Sequence, residues 1–133
     1  MTVADTDVLI DFLAGTEPAA SRVAQELSRG TLHTTAVNRF ELLSGASNER
    51  QEASIRRLLT VMGTLALDEK AADRAAQVRR SLDRSGASIG MADSLIAGIT
   101  LTHGATLLTR NRRHFERVTG LRLADLTGDA TRM

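Results

Sequence analysis

With 133 residues, 42% of them hydrophobic and 25% charged, the chain is long enough for one globular domain and too short for a second independent core. The absence of cysteine excludes disulfides, thiol nucleophiles and thiolate zinc sites, and with only three aromatic residues, Phe12, Phe40 and Phe115, a binding mode built on stacked bases is nearly excluded. Net charge is only +1, yet Lys70 is the single lysine; the arginine bias fits a partner with phosphates to grip, and equally a GC-rich coding sequence.

In chain order, Val3 to Thr6 reads as a short buried strand, followed by a helix from Val8 to Leu13, where Val8, Leu9 and Phe12 repeat at helical spacing. A second helix runs from Pro18 to a stop at Gly30, with Ala20, Val23, Ala24 and Leu27 as its apolar face. Thr31 to Thr35 is short and β-branched, a second strand. It leads into a helix holding Val37, Phe40, Glu41 and Leu43 and ended near Gly45. From Glu49 to Met62 the pattern is helical, with Ile55, Leu58, Leu59 and Met62 inward and Arg50, Arg56 and Arg57 outward. Thr64 to Asp68 gives a third strand, Glu69 to Asp83 an alanine-rich helix, and Met91 to Gly104 an apolar helix after a loop with two glycines. Ala105 to Thr109 is a fourth strand, LRLAD near residue 123 a fifth, and residues 127–133 a short tail.

Strands alternating with helices predict a three-layer α/β/α sandwich around a parallel sheet of four to five strands, in a single domain over residues 1–126. Ligands of such sheets bind at the carboxyl edge of the strands. No run approaches the ~20 apolar residues needed to cross a bilayer, and the N-terminus lacks a basic segment leading into an apolar one. A cytoplasmic protein without a membrane contact is expected.

Four polar residues fall where that edge lies. Asp5 ends the first strand, Glu41 sits in the helix after the second, Asp93 opens an apolar helix, and Asn111 follows the fourth strand. Ionised carboxylates repel by about 4 kcal/mol per pair at ~4 Å and an effective dielectric of ~20, so a cation belongs among them. An oxygen-only donor set favours magnesium or manganese over zinc. A metal so held activates water and steadies a phosphodiester, which points to phosphate-ester hydrolysis. Asp7 reads as the N-cap of the helix that starts at Val8, and Asp11 as part of its solvated face. Arg110, Arg112, Arg113 and Arg117 form a basic cluster suited to phosphates or to plain solvation. His33, His103 and His114 are too scattered for a metal site.

The stretches DTDVLIDFL, TTAVNRFELLSG and GMADSLIAGITLTHGATLLTRNRRHFERVTGL, in this order, resemble the successive motifs of the PIN domain. They are most similar to the VapC-type toxins of bacterial and archaeal toxin–antitoxin pairs. The resemblance implies a magnesium- or manganese-dependent endoribonuclease, a homodimer acting on transfer or ribosomal RNA to halt translation and growth, and a small cognate antitoxin that neutralises it. Residue by residue, it places Asp5, Glu41 and Asp93 in the metal-binding positions and Asn111 where many members have a fourth acid. Thr6 and Thr109 match supporting hydroxyls, and Asp7 stands where many members have Asn. Arg110, Arg112 and Arg113 would then hold substrate phosphates. Two rivals remain open on the residues: a haloacid-dehalogenase-like phosphatase using DTD, with Asp5 as nucleophile and Asp7 as acid, and a non-catalytic RNA- or protein-binding module.

Overall fold

The computed structural model describes residues 1–127, so all of the expected C-terminal tail except Thr127 lies outside the described residues. Five parallel strands form the sheet: β1 (Thr2–Ala4), β2 (Leu32–Thr35), β3 (Gly63–Leu65), β4 (Thr106–Leu108) and β5 (Arg122–Ala124). Their order is β3-β2-β1-β4-β5. Helices α1 (Thr6–Leu13), α2 (Ala19–Arg29), α3 (Ala36–Ser44) and α4 (Glu49–Thr60) precede β3 in the chain. After it come α5 (Glu69–Arg84), α6 (Met91–Thr102) and the four-residue α7 (Arg112–Phe115). Among the described residues no helix is long and apolar enough to cross a membrane.

Alternation along the central strands builds the two cores. Val3 of β1 and Leu107 of β4 pack with Ala71, Val78, Ile96, Ile99 and Phe115 on one face of the sheet. Their neighbours Ala4 and Leu108 pack with Val8, Leu9, Val23, Leu42, Ile55 and Leu58 on the other. Both faces are covered, as a parallel sheet requires, and the layers are the expected α/β/α sandwich. Strands of three or four residues suffice because most side chains of the central ones, Val3, Ala4, Leu32, Thr34, Thr35, Leu107 and Leu108, are buried on one face or the other.

The strands are shorter than the sequence suggests. β1 stops at Ala4, so the first helix starts at Thr6, and Asp5, not Asp7, is its N-cap: Asp5 has extended backbone (φ −73°, ψ 162°) and accepts the Thr6 N–H. Asp7 is a first-turn acid instead. Two acids ahead of the apolar repeat both suit a cap, and the strand's end chooses between them. The buried face of α2 also differs, being Ala19, Val23 and Glu26, while Ala24 is exposed. Burial would raise the Glu26 carboxyl, but hydrogen bonds from Thr31, Thr2 and Arg22 and the charge of Arg22 together outweigh it and keep it below the usual range. On α3 the buried residues are Asn38 and Leu42, whereas Phe40 is 70% exposed.

Between α5 and α6 the backbones nearly touch. A Cβ built on Gly98 would sit 2.6 Å from the Ala75 nitrogen and 2.7 Å from the Ala71 carbonyl oxygen. Glycine on one helix and alanines on the other permit this approach, which seats the first turn of α6, with Asp93, against the sheet.

Candidate active site

The sheet order reverses direction at β1, with β2 on one side and β4 on the other. In open α/β sheets such a switch point opens a crevice beyond the carboxyl ends of the strands. Asp5 stands at the end of β1, in that crevice. The register pairs Ala4 with Leu108, and the Asp5 N–H extends the ladder by donating to the Leu108 carbonyl at 2.9 Å. The next residue of β4's chain, Thr109, is therefore beside Asp5, and its hydroxyl donates to Asp5 Oδ2 at 2.7 Å.

Asp5 is 4% exposed, and its other oxygen, Oδ1, accepts from the Thr6 N–H and from Asn38 Nδ2, both at 2.9 Å. Every donor around it is neutral. Burial pushes its carboxyl above the ordinary range; the charge of Asp93 pushes the same way, and the bonds from Thr109, Thr6 and Asn38 oppose. The same shell contains no lysine, and Lys70 is exposed on α5, so the phosphatase arrangement finds no support around Asp5.

Asn38 links the parts. It is fully buried, its Oδ1 accepts from the Thr35 hydroxyl at 2.7 Å, and its Nδ2 donates to the Thr6 hydroxyl as well as to Asp5. The Thr6 hydroxyl donates in turn to Glu41 Oε1 at 2.6 Å. Thus Asp5 and Glu41, 36 residues apart in sequence, join through one asparagine and one threonine. Sequence reasoning passed over Asn38. The signal was present in Thr35-x-x-Asn38, a capping pair, with Asn38 three residues before Glu41 and hence on its helix face.

Asp93 lies in the first turn of α6, where its Oδ2 is 2.7 Å from Nδ1 of the half-exposed His114, a contact that needs the proton on Nδ1. His114 thus joins the site as a partner of Asp93. Asn111 is exposed at the head of α7; its backbone N–H donates to the Thr109 hydroxyl at 3.0 Å, and its carboxamide makes no hydrogen bond among the described residues.

The arginines divide. Arg110 Nε lies 3.0 Å from Asp11 Oδ2 and 3.9 Å from Asp7 Oδ2, so Asp11 is an ion-pair partner and not a free solvated acid. Arg112 donates to the Ala124 carbonyl at 3.0 Å and ties α7 to β5. Arg113 is exposed and has no partner among the described residues. Asp7 keeps one buried oxygen, Oδ1, without a hydrogen bond. Burial and the charge of Asp5 raise its carboxyl, and Arg110 opposes them.

Among the described residues no three acids or histidines converge closely enough to enclose a metal ion. Glu41 rests on Thr6, the residue after Asp5, and Asp93 on His114, with its charge acting on Asp5. The donor chemistry nonetheless suits a hard cation: oxygen ligands, a buried carboxylate destabilised by a second one, and no fixed positive charge in its shell.

The PIN domain family matches the chain over residues 2–121. The chain is 35% identical to the tRNA(fMet)-specific endonuclease VapC of Shigella flexneri over 125 residues, 91% of this chain and 94% of that protein. It is 34% identical to Ribonuclease VapC10 of Mycobacterium tuberculosis, over 86% of each. Among solved structures, a chain of DNA-bound VapBC from Salmonella typhimurium superposes with a TM-score of 0.83 at 28% identity, covering 94% of this chain and 97% of that one. On fold, site and likeness together, this chain belongs to the PIN domain family, among its VapC members.

Proposed function

We propose that this chain is an endoribonuclease that hydrolyses RNA phosphodiester bonds with a divalent cation, magnesium or manganese. It is the toxin of a toxin–antitoxin pair, restrained by a cognate antitoxin, and acts as a cytoplasmic homodimer with residues 1–126 as its one domain. Transfer RNA is the substrate class, by likeness to the Shigella relative. The observation that carries the reading is Asp5: a carboxylate 4% exposed, pushed up by burial and by Asp93, and surrounded by neutral donors alone. A charge so placed needs a cation close by.

Asp5 and Asp93 would hold the cation, with Glu41 reaching it directly or through water. When bound, it acidifies water and neutralises charge that develops on the phosphodiester. The rest falls to the chain. Thr109 and Asn38 grip the two oxygens of Asp5 and fix the plane of its carboxylate. Thr6 sets Glu41, and His114 holds one oxygen of Asp93 and leaves the other free of it. Asn111, its amide uncommitted, orients the attacking water, and Arg113 meets the RNA backbone at the mouth.

The test is cleavage of mixed transfer RNA by the purified chain. Cleavage should require manganese or magnesium and stop with chelator. Asp5→Asn and Asp93→Asn should each lower it at least ~100-fold. Undiminished cleavage in chelator or in Asp5→Asn would overturn the reading, and tight RNA binding with no cleavage would leave a binding module.

A further inference from the structure

Away from the acids, a groove of 190 Å³ runs between α5 and the segment that follows α7. Its polar lining is Arg74, Gln77 and Ser81 from α5 with Arg117 and Thr119 from the segment, over a floor that includes the buried Val78 and Val118. Helix α5 as a whole is mixed in charge, with Glu69, Asp73 and Asp83 among its cations. The lining of the groove takes none of these acids: all five polar side chains can donate hydrogen bonds and two carry fixed positive charge.

Neither Arg74 nor Arg117 has a hydrogen-bond or ion-pair partner among the described residues. Arg22, Arg56 and Arg110 do have partners, Glu26, Glu52 and Asp11, while Arg80 and Arg113 have none among the described residues but line no shared groove. Two guanidinium groups that share a concavity repel one another until an anion sits between them. The volume is below the roughly 300–1,000 Å³ of pockets that take whole small molecules, and suits one tetrahedral oxyanion with donors on two sides. Arg117 also lies three residues after His114, the partner of Asp93, just past the end of α7.

We propose that this groove is a phosphate subsite in which Arg74 and Arg117 jointly hold one backbone phosphate of the RNA, away from the bond that is cut. The proposal rests on the ribonuclease reading for its ligand, and on the charge and lining of the groove for its place. It gives the enzyme a sequence-independent grip on RNA that works without aromatic stacking.

The probe is mixed transfer RNA bound by the Asp5→Asn chain, which should cut it at least ~100-fold more slowly than the parent, with log Kd followed against log salt. Arg74→Gln and Arg117→Gln should each flatten the slope by about 0.7 to 0.9, the loss of one phosphate contact. The double variant should flatten it no further, because both arginines serve one phosphate. Arg80→Gln, on the same helix outside the groove, should keep the parent slope. All three arginines are exposed, so the variants should melt with the parent. Equal slopes for Arg74→Gln, Arg117→Gln, Arg80→Gln and parent would overturn the subsite, as would additive losses in the double variant. If the wild-type chain fails to cut RNA while the two arginines still set the slope, the nuclease reading falls and the groove stands. If it cuts RNA and the slopes are equal, the reverse holds.

Discussion

Asp5 works against the stability of the fold it caps. Its carboxyl is raised by burial first and by Asp93 as well, so the folded protein takes up a proton there more readily than the unfolded chain does. The sign follows: the cost of ionising Asp5 is absent below the unfolded value of ~3.9 and complete once pH has risen past the raised native value. The metal-free protein takes on that cost as pH rises and Asp5 ionises. Asparagine keeps an acceptor for the Thr6 and Asn38 donors and offers an N–H to the Thr109 hydroxyl. Asp5→Asn should therefore melt higher than the parent at pH 7 without metal, with the gain shrinking as pH falls toward 4. Calorimetry across that range checks it. A lower melting point at pH 7 would mean that the three hydrogen bonds favour the charge more than burial opposes it. The three aspartates of the first helix thus separate by what surrounds them: Asp5 has neutral donors, Asp11 has Arg110, and Asp7 shares Arg110 at longer range with one oxygen unmet.

Two contacts between elements set where the acids stand. The first is the approach of α6 to α5 at Gly98, whose added Cβ would meet backbone atoms of Ala71 and Ala75 at 2.6 to 2.7 Å. Helix propensity alone favours alanine over glycine by about 1 kcal/mol. Backbone cannot yield as a flexible side chain can, so Gly98→Ala should destabilise by ~1–3 kcal/mol in urea unfolding. Because the shift moves α6, cleavage should fall too; a stabilised variant would show that the helices part without strain. The second contact is Arg110, which joins α1 through Asp11 and Asp7 to the chain that carries Thr109 and Asn111. Its side chain is half exposed while those of the two acids are mostly buried, so the pair should be worth up to ~1 kcal/mol. A double-mutant cycle on Arg110→Ala and Asp11→Ala should return a coupling of about that size, smaller in 1 M salt. Zero coupling at low salt would leave Arg110 free to meet RNA, as its place in the basic cluster suggests.

At the scale of the molecule, the sheet order brings distant residues together: β1 lies between β2 and β4, so Asp5, the α3 residues after β2 and Thr109 after β4 meet at one switch point. Period and punctuation made the layers, all five strands and six of the helices legible, and the strand-end placement of Asp5 and Thr109 was legible with them. What escaped the sequence has physical causes. The four residues of α7 are too few for a period. Asn38 and His114 are polar residues whose worth depends on partners 33 and 21 positions away. Phe40 and Glu26 reverse the usual rule because Glu26 is paired and Phe40 follows the outward face of α3. The same convergence makes a global test available. A cation held by Asp5 at the end of β1 and Asp93 from α6 binds the folded chain and not the unfolded one, so it must raise the melting temperature by mass action. At manganese about 100-fold above Kd the gain is ~2.7 kcal/mol, roughly 10 °C for a domain of this size. The shift should vanish in Asp5→Asn and in Asp93→Asn and persist in Arg80→Gln, which leaves the acids untouched. Asp5→Asn should then begin above the metal-free parent and end below the loaded one, a crossing that nonspecific stabilisation by salt does not produce. A parent chain whose melting temperature ignores millimolar manganese would show that these acids, though gathered at one edge, do not make a cation site.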